Sequence, residues 1–246
     1  MSIQIGDFHF TPSVLPTVAA GCLLVLFLSL GNWQLNRADE KRTILQTYQQ
    51  RIQQTASELP LPIIEPEHWR YRKVKLSGRF DNEKQFLLDN QVSRGQVGLN
   101  VLTPLKLRYQ EQLVLIDRGW LPLGNHRSQL PDINVTAEVV TLEGTIYTPY
   151  KKGLRLGELD EGNTHGWPRL IQYLDFDEIS QRLGYPIAPL TIRLDPASPL
   201  GYHREWPPVP ITPDTHTAYA IQWFTLAGVL IIIYLALSLN RKNASA

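Results

Sequence analysis

The chain has 246 residues, with 24 Lys and Arg against 23 Asp and Glu, six His and one Cys. A net charge of +1 and no basic stripe interleaved with aromatics give no electrostatic case for nucleic acid, so no nucleic-acid partner is expected. One cysteine excludes an internal disulfide and any Cys-x-x-Cys metal or redox motif.

The first element in chain order is an apolar run from about Ser13 to Trp33. It matches the roughly 20 residues a helix needs to cross the hydrocarbon core at about 1.5 Å per residue. A cleaved signal peptide is the rival reading, and it needs basic residues before the run and a small-residue site after it. Met1 to Ser13 holds no Lys or Arg, and the run ends in Gly31-Asn-Trp-Gln34. A retained anchor is expected, and Cys22 inside it is an ordinary small apolar residue.

From Asn36 to about Gln54 the sequence mixes Arg, Asp, Glu, Lys, Leu and Gln without Gly or Pro, which predicts a helix continuing out of the membrane. Pro60, Pro62 and Pro66 stop it. Short alternating or β-branched runs follow at Arg72 to Phe80, Lys84 to Asp89, Leu99 to Leu105 and Gln112 to Asp117. Gly, Asn and Pro separate them, as in hairpin-linked strands of an antiparallel sheet. Val139 to Tyr147, Leu170 to Leu174 and Pro186 to Leu194 add strands, and Asp175 to Leu183 reads as a short helix ended by Gly184. Pro196 to Pro213 is too rich in proline for a helix or central strand and leads into a second apolar run, Ala218 to Leu239.

The expected fold is therefore α+β, with two terminal transmembrane helices flanking one exported domain of mainly antiparallel sheet and a few helices. The expected layout is an N-tail at 1–12, spans at 13–35 and 216–239, the domain at 36–215 and a C-tail at 240–246. Basic residues flank both spans on opposite sides (Arg37, Lys41 and Arg42 against Arg241 and Lys242), so they conflict. A domain of this length is translocated largely regardless of charge, which favours an exported domain with cytoplasmic tails.

No catalytic signature is present. The six His show no H-x-x-x-H spacing, and there is no Gly-x-Ser-x-Gly elbow, Gly-x-x-x-x-Gly-Lys loop or Gly-x-Gly-x-x-Gly turn. A non-enzymatic protein is expected.

Four segments stand out. They are Leu30-Gly-Asn-Trp-Gln-Leu-Asn-Arg37, Gly98-Leu-Asn-Val-Leu-Thr-Pro-Leu105, Asp117-Arg-Gly-Trp-Leu-Pro122 and His216-Thr-Ala-Tyr-Ala-Ile-Gln-Trp-Phe224. In that order, between two terminal spans and with Gly78-Arg-Phe80 and the stretch Trp167 to Leu194, they resemble the Surf1/Shy1 family of cytochrome c oxidase assembly proteins. The resemblance covers nearly the whole chain. It implies a membrane protein that helps assemble the haem-copper oxidase, receiving haem A near the membrane interface and assisting its insertion into subunit I. The partners it implies are oxidase subunit I, haem A synthase and the lipid bilayer. No Arg- and Ser-rich presequence precedes the first span, which favours a bacterial plasma-membrane member with a periplasmic domain.

By the resemblance, His216 is the haem ligand. Many relatives have Asn just upstream, where this chain has Asp214 and Thr215, so a second partner for the ligand is not carried over. Neutral imidazole is a usual axial ligand of haem iron, and Ala220, Trp223 and Ala227 follow His216 on one helix face, where small residues and an indole could seat a flat ring. His216, Tyr219 and Trp223 also suit a membrane–water belt. Arg37 could pair with a haem propionate or simply snorkel to the interface. Gln34 lies on nearly the same face, with helix packing as its ordinary role and that of Gly31. Arg118, Gly119 and Trp120 read as a turn closing a buried strand, or as a surface docking on the oxidase or an assembly partner. A haem-free scaffold working through the exported domain is the alternative to a haem carrier.

Overall fold

The structure is a computed structural model that describes residues 3–5, 8–108, 112–123, 131–149 and 166–241. Strands β1 (Ile3–Ile5) and β2 (Phe8–Phe10) precede helix α1 (Val14–Ile52). Then come β3 (Ser57–Glu58), α2 (Pro66–Trp69), β4 (Lys73–Phe80), β5 (Phe86–Ser93), β6 (Gln96–Leu107), β7 (Leu113–Pro122), β8 (Val139–Tyr147) and β9 (Arg169–Ile171). Helix α3 (Phe176–Leu183), β10 (Ile187–Leu194), α4 (Pro213–Ser238) and β11 (Leu239–Arg241) complete the chain. It divides into two compact units, Met1–Gln46 with Pro208–Ala246, and Thr47–Pro207.

The first unit holds the two apolar helices. Both are long and apolar enough to cross a membrane, and only 6% and 11% of their apolar windows are buried, unlike the core helix of a soluble domain. The expected first span and the helix beyond it are one continuous helix, since nothing between Asn32 and Ile52 breaks it. The helices run antiparallel: Thr17 near the start of α1 meets Tyr234 near the end of α4, their hydroxyls 2.8 Å apart. Thr17 donates its own proton to the Ser13 carbonyl, so Tyr234 is the donor across the pair. Gly31 and Ala38 on α1, and Ala220 and Ala227 on α4, are buried small residues two turns apart on one face of each helix. Such residues let apolar helices approach closely. At Gly31 a Cβ would come within 2.6 Å of the Phe224 ring. Outside the spans, β2 pairs antiparallel with both β1 and β11, so the chain ends form a small three-stranded sheet that the sequence patterning did not reveal.

The second unit is built on one sheet in the order β3-β4-β8-β10-β7-β6-β5-β9, and a further β4–β6 pairing closes five of these strands into a barrel. Its interior holds Val74, Leu76 and Phe80 of β4, Leu142 and Ile146 of β8, Val114 and Ile116 of β7, and Leu190 and Ile192 of β10. Alternation along β4 and β8 produces this, every second residue pointing inward. Strand β7 is buried on both faces, because Leu113 and Leu115 pack outward against Phe86, Leu102 and the Ile179 and Leu183 face of α3. The Asp175 side chain accepts from the backbone N–H groups of Asp177 and Glu178 to start α3, and Gly184 at φ +83° ends it.

The α+β fold matches the sequence reading, and the strand pairing departs from it in two respects. β4 does not form a hairpin with β5; it pairs with β8 and with the far end of β6. Three pairings are parallel: β10–β7, β5–β9 and β3–β4. Parallel neighbours need a crossover rather than a tight turn. The chain supplies one through α3 before β10 enters beside β7.

Candidate functional site

The residues singled out near the spans converge in the first unit. Pro213 occupies the first turn of α4, where its missing N–H costs nothing, and places His216 at the end of that turn. His216 Nδ1 donates to Gln34 Oε1 of α1 at 2.7 Å. Below it, Arg42 Nη2 donates to Thr217 Oγ1 at 3.1 Å, a second polar link between the same helices.

Arg37 lies close by, and its guanidinium is engaged. Nη1 donates to Glu40 Oε2 at 2.6 Å, and the group rests over the Trp33 ring at 5.6 Å. The hydrogen bond from Arg37 holds the Glu40 carboxyl below the usual range, with the charges of Arg37, Lys41 and His216 adding to it. His216, Gln34, Arg37 and Glu40 thus form one polar cluster. Tyr219 is about half exposed, at 48%, one turn beyond His216.

The expected seat for a flat ring is filled. Ala220 and Ala227 are 0% and 3% exposed, and Trp223 packs against Phe27 with ring centroids 5.8 Å apart. The helices need these positions for their own packing. Among the described residues no three His, Cys, Asp or Glu side chains gather to hold a metal ion. The cluster can offer one imidazole nitrogen and one exchangeable guanidinium.

The second site of interest is Arg118-Gly119-Trp120, which is not a turn after the strand. β7 runs on to Pro122, and the motif is a bulge, where the register with β6 shifts between Asn100↔Trp120 and Leu102↔Asp117. Gly119 at φ +111° permits it, and a Cβ there would meet the His203 carbonyl. Arg118 is 3% exposed. Its Nε donates to Leu200 O at 2.9 Å and its Nη1 to Ile133 O at 2.7 Å, and it rests over the Tyr202 ring. It can reach a partner only through the segments it holds in place. Trp120 donates from Nε1 to Gln91 O at 2.9 Å, under the β5–β6 hairpin whose paired Val92 and Val97 are exposed.

The buried polar network around Arg118 was not legible in the sequence, although Asp117, Asn100 and Thr103 lie in segments that stood out there. Asp117 is buried and pushed up to about 6, chiefly by loss of solvent, against the pull of Arg193 and of hydrogen bonds from Gly119 N and Asn100 Nδ2. Thr103 Oγ1 donates to Gln85 Oε1 at 2.6 Å, and this buried pair lies 3.4 Å from Arg118 Nη1. The available signal was a set of polar residues inside strands that carry apolar neighbours on both faces.

A family model described as the SURF1 family matches residues 21–228, a range that contains every site residue named above. A SURF1-like protein of Rickettsia felis is 27% identical over 228 residues, covering 89% of this chain and 93% of that one. A SURF1-like protein of Rickettsia prowazekii is 28% identical over 220 residues, covering 85% and 84%. The cytochrome oxidase assembly protein SHY1 of Saccharomyces cerevisiae is 30% identical over 101 residues, covering 39% of this chain and 25% of that protein.

Proposed function

The chain belongs to the SURF1 family, and from that premise we propose that it is a non-enzymatic assembly factor for a haem-copper cytochrome oxidase that carries haem A at His216 and assists its insertion into subunit I. Haem A synthase is the source of the cargo in this reading. The setting is a bacterial plasma membrane crossed by α1 and α4, with the barrel unit in the periplasm.

The observation that carries the reading is His216, a half-buried imidazole tied by one nitrogen to Gln34 at the end of an apolar helix pair. The donor set fits the cargo. A free transition metal needs several protein ligands, whereas haem iron brings four ring nitrogens and needs only one or two more. One imidazole also suits a ligand that must be released. Arg37 would exchange Glu40 for a propionate at little cost, because half-exposed ion pairs contribute about 0–1 kcal/mol.

The test is an optical spectrum of detergent-purified protein made together with haem A, comparing wild type with His216→Ala at matched expression. A haem A spectrum present in the wild type and lost in the variant is expected. Haem-free wild type, with full oxidase activity in cells carrying His216→Ala, sinks the carrier reading.

The exposed Val92 and Val97 above Trp120 favour a second reading, a haem-free scaffold docking subunit I through this hairpin. It requires that a folded Trp120→Ala variant loses oxidase assembly while His216→Ala keeps it.

A further inference from the structure

This inference deepens the carrier reading and rests on it. A neutral imidazole has one N–H and one lone pair, and the nitrogen that donates leaves the other to coordinate. In His216 the donor is Nδ1, toward Gln34 Oε1, so the lone pair lies on Nε2. The two residues stand 182 positions apart on different helices, so the ring cannot turn over without breaking a contact of the helix pair. We propose that Gln34 is a positioning residue that presents His216 with Nε2 as the coordinating atom and sets how firmly that atom holds haem iron.

The strength follows from the acceptor. An acceptor on the far nitrogen makes the coordinating nitrogen a better donor, and an anionic acceptor does so more than a neutral amide. Gln34 gives an intermediate hold, suited to cargo that has to leave. The Glu40 carboxylate, which lies within electrostatic reach of His216, is engaged by Arg37, and the Gln34 amide keeps the Nδ1 proton.

The experiment uses the full chain in detergent, with 15N-labelled histidine and His216 assigned by its loss in His216→Ala. Without haem, the wild type should show the Nδ1-protonated tautomer and Gln34→Leu a mixture. With haem A bound and reduced, the iron–histidine stretching frequency should fall in Gln34→Leu and rise in Gln34→Glu. Haem loss should be 10–100-fold faster in Gln34→Leu and slower than wild type in Gln34→Glu. Opposite shifts in the two variants cannot come from helix packing alone, and Gln34→Glu keeps the test open if Gln34→Leu fails to assemble. Unchanged tautomer and stretching frequency in a haem-retaining Gln34→Leu overturn the inference and leave the carrier reading intact. A wild type with the Nδ1 tautomer that retains no haem in any variant overturns both, and reduces the bond to a helix contact.

Discussion

His216 and Arg118 are both polar groups set among apolar residues, and the structure treats them in opposite ways. Arg118 donates to two backbone carbonyls and, at longer range, to Gln85 and Thr103, and lies against the Tyr202 ring. His216 makes one hydrogen bond, through Nδ1, at a part-buried helix seam, and among the described residues its Nε2 makes none. A group whose hydrogen-bonding capacity is used up holds a fold together. A group with capacity to spare is the better place to look for a ligand.

The largest expected effect comes from breaking the saturated side of this contrast. Arg118→Ala would remove the donor from the buried carbonyl of Ile133 and the part-buried carbonyl of Leu200, and at about 1–3 kcal/mol for each such group the loss is roughly 2–6 kcal/mol. The denaturant midpoint of the purified chain should drop accordingly. A midpoint equal to that of wild type would mean that Arg118 is not structural and would revive it as a direct contact.

Asp117 gives the next effect, and its sign is specific. Its folded value, about 6, lies above the ordinary 3.8, so between these values the folded state binds more protons than the unfolded one. Its contribution to stability should therefore be largest below about pH 4 and fall as pH rises through 6, by about 2 kcal/mol once discounted for relaxation of the site. Unfolding curves across pH 4–7 should show the slope, and Asp117→Asn should flatten it. The same slope in the variant would assign the titration to another group.

On the helix side, Gly31→Val should cost about 1–3 kcal/mol, because its side chain collides with Phe224. Phe224→Ala should recover part of the loss, as read by the thermal unfolding midpoint of the detergent-purified chain. No coupling between the two substitutions would contradict the seam. The smallest effect sharpens the contrast: Arg37→Ala should leave the unfolding midpoint unchanged while haem retention falls a few-fold. Equal loss of both would place Arg37 with Arg118 as a structural group.

Much of the architecture was legible because its signals are local. The two apolar runs, the helix from Asp175 to Leu183 with its Asp cap and Gly stop, and the strand Val139 to Tyr147 are each written in consecutive residues. Gln34, Arg37 and His216 were legible as types suited to an interface. Ala220 and Ala227 were misread as an open seat because a stripe of small residues looks the same whether a helix or a ligand will cover it.

The sequence by itself determined the α+β class, the two apolar helices and the positions of most strands, since periodicity and capping depend on neighbours a few residues away. Only the tertiary structure decided that β4 closes on β6, that β10 enters parallel to β7, that Arg118 turns inward at a bulge, and that Gln34 meets His216 across the helix pair. Each of these joins residues far apart in the chain, where the choice among partners is made by packing and hydrogen-bond satisfaction in the folded whole rather than by local preference.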